Sequence, residues 1–232
     1  MEREVATPRV AIIIPAFNEK TDVLRATIQA WKGEGRTIIL VDDGSQPAVS
    51  PTIADVILLI HPANRGQGAA IKTGMAYALA AGIDYCITVD ADGQHPPRNF
   101  DPLLRPLITH QADIVFGSRF LTATAKSTIP PLRMLVLQLA VYYNNFITGL
   151  KMTDAHNGLR ALNRKAMLAM ELTENRMAHA SEMPLLSRLK GLRWTEVAVT
   201  IHYTDYARQK GQSLWRAFPL SWRLLRLKMR YR

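Results

Sequence analysis

Short apolar runs, rich in β-branched residues, stop abruptly at polar clusters, and this punctuation constrains the fold more than any other feature of the 232-residue chain. Val10–Pro15 gives way to Ala16-Phe17-Asn18-Glu19, and Thr37–Val41 to Asp42-Asp43-Gly44-Ser45. Tyr85–Val89 gives way to Asp90-Ala91-Asp92-Gly93, and Ile114–Gly117 to Ser118-Arg119. Unbroken apolar runs of this length suit strands buried on both faces. Ala54–Ile60 reads as a further strand. Between the strands, Thr21–Trp31 has helical spacing, with Thr21 or Asp22 as cap. Ala69–Ala81 is a second helix, stopped by Gly82, and Phe100–Thr109 a short third. Strand, helix, strand, repeated, predicts an α/β doubly wound, mostly parallel sheet with helices on both faces. The polar clusters then fall at strand carboxyl ends, where open α/β sheets bind ligands.

The turn after the fourth of these strands, Asp90-Ala91-Asp92-Gly93-Gln94-His95-Pro96-Pro97, carries the sharpest chemistry. Two carboxylates this close repel unless a cation or water screens them. Oxygen ligands suit Mg²⁺ or Mn²⁺, which also bridge phosphate oxygens. Asp90, Asp92 and the amide oxygen of Gln94 are therefore candidate metal ligands. The Gly66-x-Gly68 turn resembles a phosphate loop but matches neither complete glycine fingerprint. His61, His95 and His179 lack zinc-site spacing.

The second half is less regular. Leu121–Pro131 reads as a mobile loop, followed by a long apolar helix over Leu132–Leu150. Its length barely suffices to span a membrane, and Arg133, Gln138, Asn144 and Asn145 interrupt it, so a buried or membrane-facing amphipathic helix is expected. Thr153–Arg160 reads as a polar loop in which Asp154 and Arg160 either pair or bind an acceptor. Arg164–Leu172 and Ala180–Lys190 read as helices, and Trp194–His202 as a last strand. Glu182, near its helix start, is either a carboxylate favoured by the helix dipole or a catalytic base.

Charge divides the chain unevenly. The formal net charge is +10, and from Tyr206 onward there are eight basic residues and no acidic one. The body is therefore nearly neutral. Trp215, Phe218, Leu220, Trp222, Leu225 and Leu227 lie among these bases, a pattern suited to an interfacial segment on an anionic membrane. A nucleic-acid face would draw on the folded body as well, so no nucleic-acid partner is expected. The lone cysteine, Cys86, excludes an internal disulfide and fits a reducing compartment. Met1–Pro8 has no long apolar run, so no signal peptide is expected.

Five motifs in order then resemble family 2 glycosyltransferases of the GT-A fold. They are Ile12-Ile13-Ile14-Pro15-Ala16-Phe17-Asn18-Glu19, Val41-Asp42-Asp43-Gly44-Ser45, Asn64-Arg65-Gly66-Gln67-Gly68, the Asp90–Pro97 turn and Gly117-Ser118-Arg119-Phe120. The dolichyl- or polyprenyl-phosphate sugar synthase branch looks most similar. The resemblance implies that Pro15, Phe17, Asn18 and Glu19 line the nucleotide pocket and that Asp42 or Asp43 bonds the base. Lys72, Asp90 and Ala91 would reach the ribose and the metal region, and Arg119 would sit beside the sugar and the reacting phosphate. Asp154–Arg160 is similar to the family's Asp-x-x-x-Gly-Phe-Arg segment, with Leu159 in place of Phe. Tyr206–Ser213 resembles a loop that closes over the diphosphate, with Arg208 and Ser213 as contacts. Relatives with transmembrane helices carry them after this point. The resemblance thus implies a catalytic domain over 1–213, a basic amphipathic segment over 214–232, and a cytoplasmic protein peripheral on the inner membrane face, with room for an integral membrane partner protein.

Two acceptors remain open at this stage. A polyprenyl phosphate would need a cationic clamp, with Arg119 and Arg133 as candidates, and no base. A glycan or glycolipid hydroxyl would need a carboxylate such as Glu182.

Overall fold

In the computed structural model, residues 8–50, 56–121, 131–154 and 157–202 are described. Strand β1 (Val10–Ala16) is buried throughout and pairs in parallel with β2 (Arg36–Asp42), which pairs in parallel with β3 (Ile57–Ile60). On its other side β1 pairs in parallel with β4 (Tyr85–Thr88). Beyond β4 lie β6 (Arg160–Asn163), β5 (Ile114–Ser118) and β7 (Trp194–Ala198), giving the order β3-β2-β1-β4-β6-β5-β7. The residue before Ile57 in the expected strand, Val56, is not part of β3, and residues 54–55 lie outside the described set.

The departure from expectation is β6. The stretch ending at Arg160 reads as a polar loop, yet Arg160–Asn163 forms a strand antiparallel to both β4 and β5. Only Ala161 and Leu162 are apolar in it, too few to register as a run.

Side chains alternate across the sheet and feed two cores. Ile12, Ile14, Ile38 and Leu40 face one way, onto α1 (Thr21–Trp31) and α3 (Phe100–Ile108), which contribute Leu24, Ile28, Trp31, Leu103 and Leu107. Ile13, Ile39 and Val41 face the other way, where α2 (Gln67–Ala80), α5 (Arg164–Ala169) and α6 (His179–Leu189) supply Ala70, Met75, Met167 and Met183. Helix α2 lies close to β1 because a Cβ at Gly74 would stand 2.5 Å from Ile13 Cγ2. Helix α4 (Pro131–Thr148) opens on proline, which suits a first helical position. No helix among the described residues is long and apolar enough to cross a membrane. Residues 122–130, where a loop is expected, and residues 203–232, which include the basic stretch from Tyr206, lie outside the described residues.

Candidate active site

The parallel strands deliver their loops to one edge, and buried acids organise those loops first. Asp43 stands beyond β2. Its carboxylate lies 2.7 Å from His61 Nδ1 and accepts from Asn64 Nδ2 (3.1 Å) and from the amides of Arg65 (3.0 Å) and Gly66 (2.6 Å). Asp42 accepts from the amides of Ser45 and Val49, both at 2.9 Å. Asn18 joins the β1 and β2 loops: its amide donates to Ser45 Oγ (2.9 Å), and its Oδ1 accepts from the Gln46 amide (2.8 Å). Both acids are buried and their oxygens hold backbone.

The glycine turn before α2 is thereby closed on a carboxylate, since the amides of Arg65 and Gly66 both point at Asp43. Its glycines serve packing. A Cβ on Gly68 would stand 2.2 Å from the Glu174 carbonyl oxygen, so the 173–179 segment lies directly against the start of α2.

The Asp90 turn is steadied from three sides. Gln67 Nε2, from the first residue of α2, donates to Asp90 Oδ1 at 2.8 Å. His95 Nε2 lies 3.1 Å from Asp90 Oδ2, and the His95 carbonyl accepts from the Trp31 indole at 2.9 Å. Gly158 lies so close that a Cβ there would stand 2.2 Å from Asp90 Oδ2. Burial works to raise the Asp90 pKa, but His95, the charge of Arg160 and Gln67 together outweigh it and hold Asp90 below the usual carboxylate range. Asp92 goes the other way. Burial raises it first and the Asp90 charge adds to this, against hydrogen bonds from Gln94. Those bonds come from the Gln94 amide (3.1 Å) and from Gln94 Nε2 (2.5 Å). Gln94, expected to offer a neutral oxygen to a metal, here steadies Asp92 with its nitrogen.

This repulsion between two carboxylates fits a divalent cation, which would relieve it. Among the described residues no group of three His, Cys, Asp or Glu side chains converges to hold a metal by itself. A cation on Asp90 and Asp92 would therefore take its remaining ligands from water or from phosphate oxygens.

Arg119 follows β5 and is clamped by Asp154. Its Nε donates to Asp154 Oδ2 at 2.7 Å, its Nη2 to Oδ1 at 3.2 Å, and its amide to Oδ2 at 3.1 Å. Asp154 is held in turn from β7: Glu196 accepts from the amides of Thr153 and Asp154. Arg160 does not pair with Asp154. It is buried and donates to Met183 Sδ (2.9 Å) and the Ala180 carbonyl (3.2 Å). Burial pushes its pKa down to about 10, while Asp90 and Asp154 act to raise it, so it stays cationic at neutral pH. The charge of Arg160 thus acts on both acids. Burial, aided by Arg160, pushes His179 down to about 4 and keeps it neutral.

Glu182 is fully buried. Oε1 accepts from the Thr173 amide (2.9 Å) and hydroxyl (2.6 Å), and Oε2 from the Glu174 amide (2.9 Å). The carboxylate anchors the segment that covers α2. Lys72 is exposed and donates to the Leu172 carbonyl at 3.2 Å. Pro15 and Ala91 are buried, Glu19 is half-buried, and Phe17 is exposed at the carboxyl end of β1. Arg133 occupies the first turn of α4. Arg208 and Ser213 lie outside the described residues.

Sequence reading passed over Gln67, His95 and Gly158 as partners of Asp90. All three lie in stretches the sequence singles out: Gln67 in the Asn64–Gly68 motif, His95 in the Asp90–Pro97 turn and Gly158 in the Asp154–Arg160 segment. The His95 contact is local to the turn, whereas the Gln67 contact depends on where the start of α2 packs.

The Glycosyl transferase family 2 profile matches residues 11–169. The chain is 29% identical to a UDP-N-acetylglucosamine–dolichyl-phosphate N-acetylglucosaminyltransferase of Methanococcus voltae, over 97% of this chain and 98% of that one. It is 26% identical to a polyprenol monophosphomannose synthase of Mycolicibacterium smegmatis, over 86% of this chain and 78% of that one. Among solved structures, glucosyl-3-phosphoglycerate synthase from Mycobacterium tuberculosis, in complex with Mn²⁺, UDP and glucosyl-3-phosphoglycerate, superposes with a TM-score of 0.69 at 17% identity, covering 95% of this chain and 78% of that one. At that identity the likeness speaks for the fold, which is of the GT-A kind. With the family profile spanning the sheet from β1 through β6 and onto α5, the chain belongs to glycosyl transferase family 2 and is a nucleotide-sugar-dependent glycosyltransferase.

Proposed function

We propose that the protein transfers a sugar from a nucleotide-sugar to the phosphate of a polyprenyl lipid, with inversion at the anomeric carbon, at the inner face of a membrane. The carrying observation is the arrangement around Glu182 and Arg119. A hydroxyl acceptor needs a base, and Glu182, the carboxylate nominated for that task, is fully buried with both oxygens on the 173–174 segment. A phosphate acceptor is already an anion and needs a cation instead. Arg119 supplies one after β5, fixed by Asp154, and a planar guanidinium can grip phosphate through two bonds. Arg133, opening α4, is the second candidate. The names of the Methanococcus and Mycolicibacterium relatives support a polyprenyl-phosphate acceptor.

The donor would lie across the carboxyl ends of β1, β2 and β4, near Pro15, Phe17, Asn18 and Glu19. Asp90 and Asp92 would hold Mg²⁺ or Mn²⁺, as the Mn²⁺–UDP complex of the mycobacterial structural neighbour suggests. Such an ion neutralises charge on the departing nucleoside diphosphate. Arg208 and Ser213 would close over that diphosphate, and the basic segment 214–232 would rest on anionic lipid, beside an integral membrane partner if there is one. The test is to incubate the purified protein with Mn²⁺, polyprenyl phosphate in vesicles and a panel of nucleotide-sugars, with mass spectrometry of the lipid fraction. A lipid heavier by one sugar is expected with one donor. Donor turnover that leaves the lipid mass unchanged would overturn the reading.

A further inference from the structure

Glu196 sits on β7 opposite Phe116 of β5, two positions before the pair formed by Ser118 and Ala198. Its surroundings are partly apolar: Phe116 is buried in the core beneath α2, α5 and α6, and Trp194 packs against that core. A carboxylate in such a place needs partners, and it finds them in the segment that follows α4. Oε1 accepts from the amides of Thr153 (3.0 Å) and Asp154 (3.1 Å), and Oε2 from the Thr153 amide (2.8 Å) and hydroxyl (3.1 Å). Residues 152–154 belong to no helix or strand, so side chains carry the backbone bonds that a ladder would otherwise supply. Asn145 holds Met152 at its amide (3.1 Å) and carbonyl (2.8 Å), and Glu196 holds the next two amides.

Two lines of bonds run from Glu196 to Arg119. Along the first, Asp154, fixed at its own amide, grips the Arg119 side chain and amide. Along the second, the direction of each hydroxyl follows from the carboxylate. An ionised carboxyl group only accepts, so the Thr153 hydroxyl donates to Glu196. Ser118 Oγ, 2.6 Å from Thr153 Oγ1, then donates to Thr153 and accepts from the Phe120 amide at 3.2 Å. Ser118 and Phe120 flank Arg119 in the chain. One carboxylate thus steadies the arginine through its side chain and through both of its neighbours.

We propose that Glu196 is a positioning residue for sugar transfer, which aims the Arg119 guanidinium by holding Thr153 and Asp154 in place. The proposal rests on the reading of Arg119 as the cation that meets the acceptor phosphate. Glu196 acts through other residues and not on the acceptor, since both its oxygens are engaged by Thr153 and Asp154. A two-point grip on phosphate depends on the plane of the guanidinium, and a misplacement of about 1 Å can cost roughly 10²-fold in rate.

The test uses the full chain with Glu196→Ala and Glu196→Gln. The first readout is structural: solvent exchange of the Arg119 Nε–H resonance in nitrogen-15 NMR, assigned by its loss in Arg119→Lys. The second is kcat and KM with polyprenyl phosphate and the nucleotide-sugar that the donor panel identifies. Glu196→Ala should speed the exchange and lower kcat, each at least about tenfold, while KM for the nucleotide-sugar stays within about twofold. Glu196→Gln keeps an oxygen where Oε1 reaches both amides, so it should stay within about threefold of the parent in both readouts. In the Arg119→Lys background Glu196→Ala should cost less than about threefold, because its route to the acceptor is already cut. Unchanged exchange in Glu196→Ala would overturn the proposal. So would a full second loss in the Arg119→Lys background, or a Gln variant no better than the Ala variant. If Glu196→Ala does not fold, Glu196→Asp, which draws the carboxylate back by one methylene, carries the same measurements and the same expected losses. Faster Nε–H exchange together with an Arg119→Lys variant of parental lipid-phosphate turnover would defeat the acceptor reading and leave the positioning of Arg119 standing.

Discussion

Asp154 holds Arg119 by a forked pair of side-chain bonds at 2.7 and 3.2 Å and by a third bond to the Arg119 amide. Both side chains are largely buried, and Arg160 places a second positive charge near Asp154. The direction of the guanidinium is thus set by a carboxylate 35 positions away in the chain.

Asp154→Asn should cost about 3 kcal/mol, because it leaves a largely buried cation without its counter-charge. Urea denaturation measures this. Turnover should fall as well, since Arg119 loses its fixed orientation. Arg119→Lys keeps the charge but cannot make the fork, and on the proposed phosphate-acceptor reading Arg133→Lys should likewise forfeit the two-point grip that a guanidinium offers a phosphate. Each should lose far more turnover than Glu182→Gln.

Gly158→Ala should disable the Asp90 turn. The new Cβ would stand 2.2 Å from Asp90 Oδ2, and the Gly158 carbonyl is fixed by the Thr88 hydroxyl at 2.7 Å. Asp90 must therefore move. Mn²⁺ binding, followed by electron paramagnetic resonance with a nucleoside diphosphate present, should weaken at least about tenfold.

Glu182→Gln should behave as a structural variant. An amide offers one acceptor oxygen where the Thr173 and Glu174 amides need two, so stability should drop by about 1–3 kcal/mol. The rate of the folded fraction should stay within about tenfold of the parent, less than the 10²–10⁴ that a general base contributes. Unfolding curves and active-fraction-corrected rates separate the two effects. A rate loss in the larger range with unchanged stability would make Glu182 a base.

Asp92 carries a stability cost when ionised in the metal-free fold. Its folded pKa is raised, so the native state binds its proton more tightly than the unfolded chain does. The sign follows: between the ordinary aspartate value and the raised folded value, this residue's contribution favours folding at lower pH and is lost as pH rises. At neutral pH the ionised carboxylate is a net cost to the metal-free protein. Asp92→Asn should leave metal-free stability equal or higher in thermal melts while abolishing turnover, and chelation should abolish turnover of the parent. Full activity in excess chelator would contradict the metal assignment.

Legibility in the sequence followed how local each feature is. Strands β1, β2, β4 and β5 read directly because burial on both faces demands unbroken apolar runs. Strand β6 did not, since its four residues begin at Arg160 and end at Asn163. The Asp90–Asp92 pair was legible as a carboxylate turn, but its supports were not: Gln67, Arg160 and Gly158 reach Asp90 from distant parts of the chain. The same holds for Asp43, whose role in shaping the 61–66 turn depends on amides more than twenty residues on. Asn144 and Asn145 read as interruptions of an apolar helix, and the structure shows them on its inner face.

Phosphorus NMR of the reaction product tests the central claim most directly. Transfer to a polyprenyl phosphate converts the acceptor's phosphate monoester into a phosphodiester linked to the anomeric carbon, so the monoester signal should disappear and a diester signal should replace it as sugar is incorporated. Incorporation of sugar with the monoester signal intact would place the new bond on a hydroxyl and contradict the account.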